Sequence, residues 1–404
     1  ALINGQEFKE GEWLTIDGST GSIYAGHLPL IAPKMGGELA TFLGWCDEIR
    51  KKSVRGEVKG FGVRTNADTP ADAKRAFDFG ADGVGLCRTE HMFFDKEKLL
   101  HFRAMIVADS PEERRAALKK ILPLQKKDFV GIFKAMEGHP VTIRLLDPPL
   151  HEFVPHKKAE IDELAALLGA DAHTLQVKID HLHEANPMLG HRGCRLAITY
   201  PEIYDVQVEA IMQAAVECHK KGIPCEPEIM IPIVCEPNEL AVLRQRTERI
   251  VADYLSKNQL KFEVKIGTMI EVPRAAILAD EIAQYADFFS YGTNDLTQMT
   301  YAFSRDDAGS FLPAYLEQGV LADDPTHTID EKGVGFLMRY AADGGRKTKP
   351  KLKIGICGEQ GGDPATIDFC YRIGLNYVSC SPFRVPIARL AGAQAVLRNA
   401  AKPA

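Results

Sequence analysis

From Gly60 onward the sequence alternates short apolar runs with helical stretches, and it does so eight times. The runs are 61–64 (FGVR), 83–87 (GVGLC), 141–145 (VTIRL), 228–233 (EIMIPI), 265–270 (KIGTMI), 287–291 (DFFSY), 353–357 (KIGIC) and 376–380 (NYVSC). Runs of this kind read as parallel strands buried on both faces. Parallel neighbours need crossover helices, and right-handed crossovers return every strand end to one rim. Eight such units predict an α/β fold, a (β/α)₈ TIM barrel, over about residues 55–404. An open doubly wound sheet is the alternative, but no dinucleotide fingerprint follows the first strand. Gly80, Gly83 and Gly85 precede and enter a strand, which is the wrong context.

Ahead of the barrel, residues 1–30 hold GEWLTIDGSTGSIYAG, β-rich runs with Asp-Gly and Thr-Gly turns. They are too few for a domain and read as the last hairpin of one whose body lies upstream. Residues 31–54 are expected to form a linker helix. Two insertions interrupt the alternation, 146–227 after the third strand and 303–350 after the sixth. On the C-terminal side of a barrel, such insertions build the active-site rim or an interface. A helix is expected over 158–185, carrying His181 and His183; these and His191 read as surface or packing residues.

Composition bounds the partners. A net charge of −6 and a pI near 6.1 imply no basic face, which argues against nucleic acid. Anionic ligands would need local arginine clusters. Nine cysteines without a CxxC pair read as reduced thiols in a cytoplasmic protein. No apolar run approaches membrane-spanning length and no signal peptide opens the chain.

The strand ends carry the chemistry. Glu271 follows the fifth strand, and Gly292, Thr293, Asn294 and Asp295 follow the sixth. Two hard carboxylates at neighbouring strand ends, with room for water and substrate oxygens, suit Mg²⁺ or Mn²⁺. The competing reading makes Asp295 the N-cap of a helix at 296–302. Gly292 beside an amide side chain favours an anion next to the metal. Arg88 and Arg144 end or follow apolar strands, and Arg192, Arg195 and Arg305 lie in the insertions. Guanidinium forks fit phosphate or carboxylate. Cys357, at the seventh strand end before Gly358-Glu359, is either a small core residue or an acid able to protonate carbon.

The segments GVGLCRTEHMFF, VTIRLLDPPLHEF, NPMLGHRG, KIGTMIEVPRAA, FFSYGTNDLTQMT and GICGEQGGDP, in this order, resemble the phosphoenolpyruvate-binding domain of the phosphoenolpyruvate-utilising enzymes. The resemblance runs from about Gly11 to about Asn399. It implies that Glu271 and Asp295 ligate Mg²⁺ and that Arg88 and Arg144 hold the phosphoryl group. Arg192 would assist, Gly292, Thr293 and Asn294 would line the pocket, and Cys357 would protonate the enolate carbon. It further implies a phosphocarrier histidine on a swivelling domain, of which residues 1–30 would be a remnant, a separate ATP-binding domain, and a homodimer. No histidine here sits in the family's Gly/Thr/Ser-rich phosphohistidine setting, so the expected chemistry is phosphoryl transfer between phosphoenolpyruvate and a histidine outside this chain, giving pyruvate. Two rivals are a Mg²⁺-dependent carbon–carbon lyase and a phosphoenolpyruvate sensor without chemistry. The phosphate-type arginines argue against the first, and Cys357 argues against both.

Overall fold

The computed structural model describes residues 1–18, 20–30, 35–94 and 96–400. Positions 31–34 of the expected linker helix and 401–404 of the expected barrel lie outside the described residues, as do Ser19 and Asp95. The chain separates into two compact units, Ala1–Thr41 and Phe42–Ala404. The first holds two small antiparallel pairings, Leu2–Ile3 with Gln6–Glu7 and Leu14–Asp17 with Ser22–Ala25. A helix spans Gly37–Lys52.

The second unit is a closed parallel barrel of eight strands with helices between them. In chain order these are β1 Gly62–Asn66, β2 Val84–Arg88, β3 Pro140–Arg144, β4 Glu226–Ile231, β5 Lys265–Ile270, β6 Phe288–Tyr291, β7 Lys353–Ile356 and β8 Tyr377–Cys380. β8 pairs with β1 in the register Tyr377↔Gly62, which closes the ring. The apolar runs become strands because both faces are buried, one toward the barrel axis and one under the helices. Helix starts are set locally: Thr69, Ser110 and Asp363 each accept a backbone N–H from the first turn of the helix that follows. Among the described residues no helix is long and apolar enough to cross a membrane.

The barrel interior is not wholly apolar. Glu228 on β4 accepts from Arg64 on β1 at 2.7 Å, from Thr142 on β3 at 2.7 Å and from Lys353 on β7 at 2.6 Å. The Arg64 guanidinium also lies over the Tyr377 ring, 4.3 Å from its centroid. Burial works to raise the Glu228 pKa, yet Arg64 and Lys353 outweigh it and hold the carboxyl below its ordinary range. Tyr377 fits because β7 supplies Gly355, where a Cβ would sit 2.1 Å from the ring. Leu86, Met230, Met269, Phe288 and Cys357 form an apolar cluster among the strands.

Two local expectations change. The stretch 158–185 is two helices, Lys158–Leu168 and Ala172–His181. Gly169 ends the first at φ 62°, and Asp171 caps the second by accepting the Thr174 N–H at 2.8 Å. His183 therefore lies beyond the helix, its ring 5.6 Å from that of His151. The helix expected at 296–302 starts earlier, at Thr293–Tyr301. Asp295 thus lies inside its first turn and is not its N-cap.

Candidate active site

Strand register brings the arginines together. Arg88 and Arg144 end adjacent strands as direct Cα partners. Arg144 is gripped on both prongs: Nη1 pairs with Asp147 at 2.7 Å and Nη2 pairs closely with Glu90. Arg192, from the insertion after β3, donates Nε and Nη2 to the two oxygens of Asp147 at 3.2 and 2.6 Å. Its Nη2 also lies 3.4 Å from Asp295 Oδ2. Glu90, Arg144, Asp147, Arg192 and Asp295 thus form a row of alternating charge. Arg88 is held more loosely, with Nη1 3.8 Å from Asp68.

Asp147 and Glu90 were not singled out by sequence reasoning. The signal for Asp147 was its place three residues after Arg144, locked by Pro148-Pro149. Both are buried, at 1% and 4% exposure. Burial pushes the Asp147 carboxyl up, but Arg144 and Arg192 prevail and keep it below the ordinary carboxylate range.

Glu271 follows β5 and is 1% exposed. Its Oε1 accepts the Ile233 N–H at 2.7 Å, whereas Oε2 is buried with no partner. Gly292 is the wall beside that oxygen: a Cβ there would sit 2.3 Å from it. The glycine is required by close approach, since its φ of −86° suits any residue. Burial, then the charges of Asp295 and Asp147, push the Glu271 carboxyl well above its ordinary range. Asp295 is also raised, chiefly by burial. Four carboxylates (Glu90, Asp147, Glu271 and Asp295) share this region with three guanidinium groups. An orphaned oxygen and two carboxylates whose charged forms are disfavoured by burial and by each other's neighbourhood fit a divalent cation. Among the described residues no group of three or more His, Cys, Asp or Glu can hold a metal. Two oxygen ligands suffice for Mg²⁺, which keeps water and substrate oxygens in its shell.

The remaining candidates brace the wall. Thr293 Oγ1 donates to Gln360 Oε1 at 2.7 Å, and Asn294 Oδ1 accepts the Glu359 N–H at 2.9 Å. Arg305 forms a two-pronged pair with Glu359 at 2.6 and 2.7 Å. Arg195 donates to the carbonyls of Leu189 and Gly190, so it braces its own loop. The Cys357 N–H donates to the Tyr291 carbonyl at 3.0 Å, and the residue is 1% exposed. Burial first, and the Glu271 charge, push its thiol up to about 11, against the pull of Arg88 and Arg144. It is therefore a protonated thiol within the field of the site.

Two cavities open here. One of about 1040 Å³ is lined by Arg144, Asp147, Arg192, Asn294, Asp295 and Arg305 among others. The other, of about 640 Å³, is lined by Asn66, Arg88, Glu359 and Arg384 among others. Arg88 and Arg144 are thus neighbours that face different cavities.

The family model described as "PEP-utilising enzyme, PEP-binding domain" matches residues 45–397. The pyruvate, phosphate dikinase of Clostridium symbiosum is 50% identical over 398 residues, which are 98% of this chain and 44% of the relative. That of Rhizobium meliloti (strain 1021) is 52% identical over 392 residues, covering 97% and 43%. Pyruvate, phosphate dikinase 2 of Oryza sativa subsp. japonica is 52% identical over 404 residues, covering 98% and 44%. The chain therefore spans less than half the length of these relatives. With a closed barrel and buried acid–arginine row that sit within the matched residues, the chain belongs to the phosphoenolpyruvate-utilising enzymes, through their phosphoenolpyruvate-binding domain.

Proposed function

We propose that this barrel is the phosphoenolpyruvate/pyruvate half of a pyruvate, phosphate dikinase. It would catalyse Mg²⁺-dependent phosphoryl transfer between phosphoenolpyruvate and a phosphocarrier histidine outside these 404 residues, giving pyruvate. The observation that carries the reading is Glu271 Oε2, buried without a partner beside Asp295 and a row of clamped arginines. We also propose residues 1–30 as a remnant of the swivelling domain, 31–54 as the linker helix and 55–404 as the barrel, acting as a homodimer in the cytoplasm.

Glu271 and Asp295 would hold Mg²⁺. When bound, the ion would stabilise charge on the enolate oxygen and the transferring phosphoryl group. Arg88, whose guanidinium is held only loosely, 3.8 Å from Asp68, is the anchor for the phosphoryl oxygens. Arg144 and Arg192 are fixed in place by Glu90 and Asp147, so their charge needs no reorganisation as the reaction proceeds. Gly292, Thr293 and Asn294 shape the wall against the ligand. As the phosphorus–oxygen bond breaks, the phosphoryl group leaves for the histidine nitrogen and its bonding pair stays on the enolate. Cys357 then gives its proton to the methylene carbon, making the methyl group of pyruvate, and regains a proton from solvent. A thiol near 11 is fully protonated at neutral pH, as a donor must be.

Calorimetric titration of the chain with phosphoenolpyruvate, with and without Mg²⁺, tests this reading. Binding should need Mg²⁺ and be lost in Asp295→Ala. Equal binding in EDTA, or in the variant, would contradict it.

A further inference from the structure

The two cavities meet at one ion pair. Arg305 lines the cavity that contains Arg144, Arg192 and Asp295, and Glu359 lines the one that contains Arg88. Their side chains are joined by two parallel bonds of 2.6 and 2.7 Å. Both ends are anchored by backbone: the Arg305 N–H donates to Gln298 Oε1 at 2.7 Å, and the Glu359 N–H to Asn294 Oδ1 at 2.9 Å. The side chains are 46% and 51% exposed, so solvent screens the pair despite its two-pronged geometry and opening it costs far less than opening a buried ion pair. A two-pronged carboxylate occupies the same guanidinium face that a phosphoryl group would use.

We infer that Arg305 and Glu359 form a latch across the barrel mouth, with Glu359 a carboxylate that an incoming phosphoryl group displaces from Arg305. This rests on the phosphoenolpyruvate reading above and extends it to a specificity-determining residue. With the latch closed, Arg88 faces one compartment and Arg144 and Arg192 face another. Opening it merges the two and frees one more guanidinium for a ligand with enough negative charge to outcompete Glu359. Glu359 touches no reacting atom; it sets which anion is admitted.

The test is phosphoenolpyruvate titration in Mg²⁺ of the parent chain, Glu359→Gln and Arg305→Gln. Both side chains are half exposed, so neither change threatens the fold. A latch predicts opposite signs. Glu359→Gln should bind about two- to fivefold tighter, the worth of an exposed pair. Arg305→Gln should bind about tenfold more weakly or worse, having lost a charged partner for the anion. Weaker binding by both variants is the mark of a merely structural pair and overturns the latch while leaving the functional reading intact. Unchanged binding by Glu359→Gln also overturns it. A parent chain that binds no phosphoenolpyruvate in Mg²⁺ removes the functional reading and the latch together.

Discussion

Glu271→Gln should make the metal-free protein more stable and the metal-loaded protein less so. The side chain is 1% exposed, and the bond from the Ile233 N–H at 2.7 Å lands on Oε1, which glutamine retains. The other oxygen has no partner and faces the charges of Asp295 and Asp147. Replacing it with a neutral donor removes a buried, repelled charge. Single stabilising substitutions are commonly worth about 0.5–2 kcal/mol. The sign follows from linkage. The folded carboxyl lies above its unfolded value, so its stabilising protonated form is lost as pH rises from about 4.3 through the folded pKa. The parent should lose stability over that window in EDTA, and the variant should lose less, keeping only the share that the raised Asp295 carboxyl contributes. A ligand at a hundred times its Kd adds about 2.7 kcal/mol to the parent, and Mg²⁺ with phosphoenolpyruvate should give the variant little of that gain. Urea unfolding at pH 7.5 in EDTA, and again with both ligands, measures the two differences at constant slope. A variant less stable than the parent in EDTA, or equally stabilised by the ligands, would refute the reasoning.

Asp147→Asn should do the opposite in EDTA. It breaks a buried hub shared by two arginines and should cost about 3–5 kcal/mol in urea unfolding. Because the Asp147 carboxyl is held below its ordinary range, the stability it gives is present above about 3.9 and is lost as pH falls through the folded pKa; the variant should lack this acid loss. Arg88→Ala should leave stability nearly unchanged but weaken phosphoenolpyruvate by about 1.5–3 kcal/mol, more than it weakens pyruvate, as read by calorimetry. For proton transfer, any step that needs the Cys357 thiol should persist until the pH approaches 11, where the donor form is lost; a rate falling from pH 8 would point to another acid.

The barrel was legible because its strands are short apolar runs separated by amphipathic helices, and this pattern has few solutions. Within the strands, Arg64 and Glu228 gave no warning that they meet across the barrel axis; one charge in an apolar run does not reveal its partner. At the site, Glu271, Asp295, Arg88 and Arg144 could be read because each ends or closely follows a strand, and the topology sends strand ends to one rim. Glu90 and Asp147 stayed hidden because their task is to pair with arginines, and pairing depends on register and loop path. Arg88 and Arg144 looked equivalent in sequence. Only their surroundings separate them: one guanidinium is clamped by two carboxylates, and the other sits 3.8 Å from its nearest. The helix beginning at Thr293 was misplaced because its first turn, Thr-Asn-Asp, also reads as a capping sequence.

In the proposed reaction Mg²⁺, held by Glu271 and Asp295, and the Cys357 thiol would together interconvert pyruvate and its enolate. The direct measurement is exchange of the methyl protons of pyruvate with solvent deuterium, followed by NMR on this chain. Exchange should require Mg²⁺ and disappear in Cys357→Ser, while that variant still binds Mg²⁺ and phosphoenolpyruvate. Exchange at the parent rate in Cys357→Ser, or undiminished in EDTA, would contradict it.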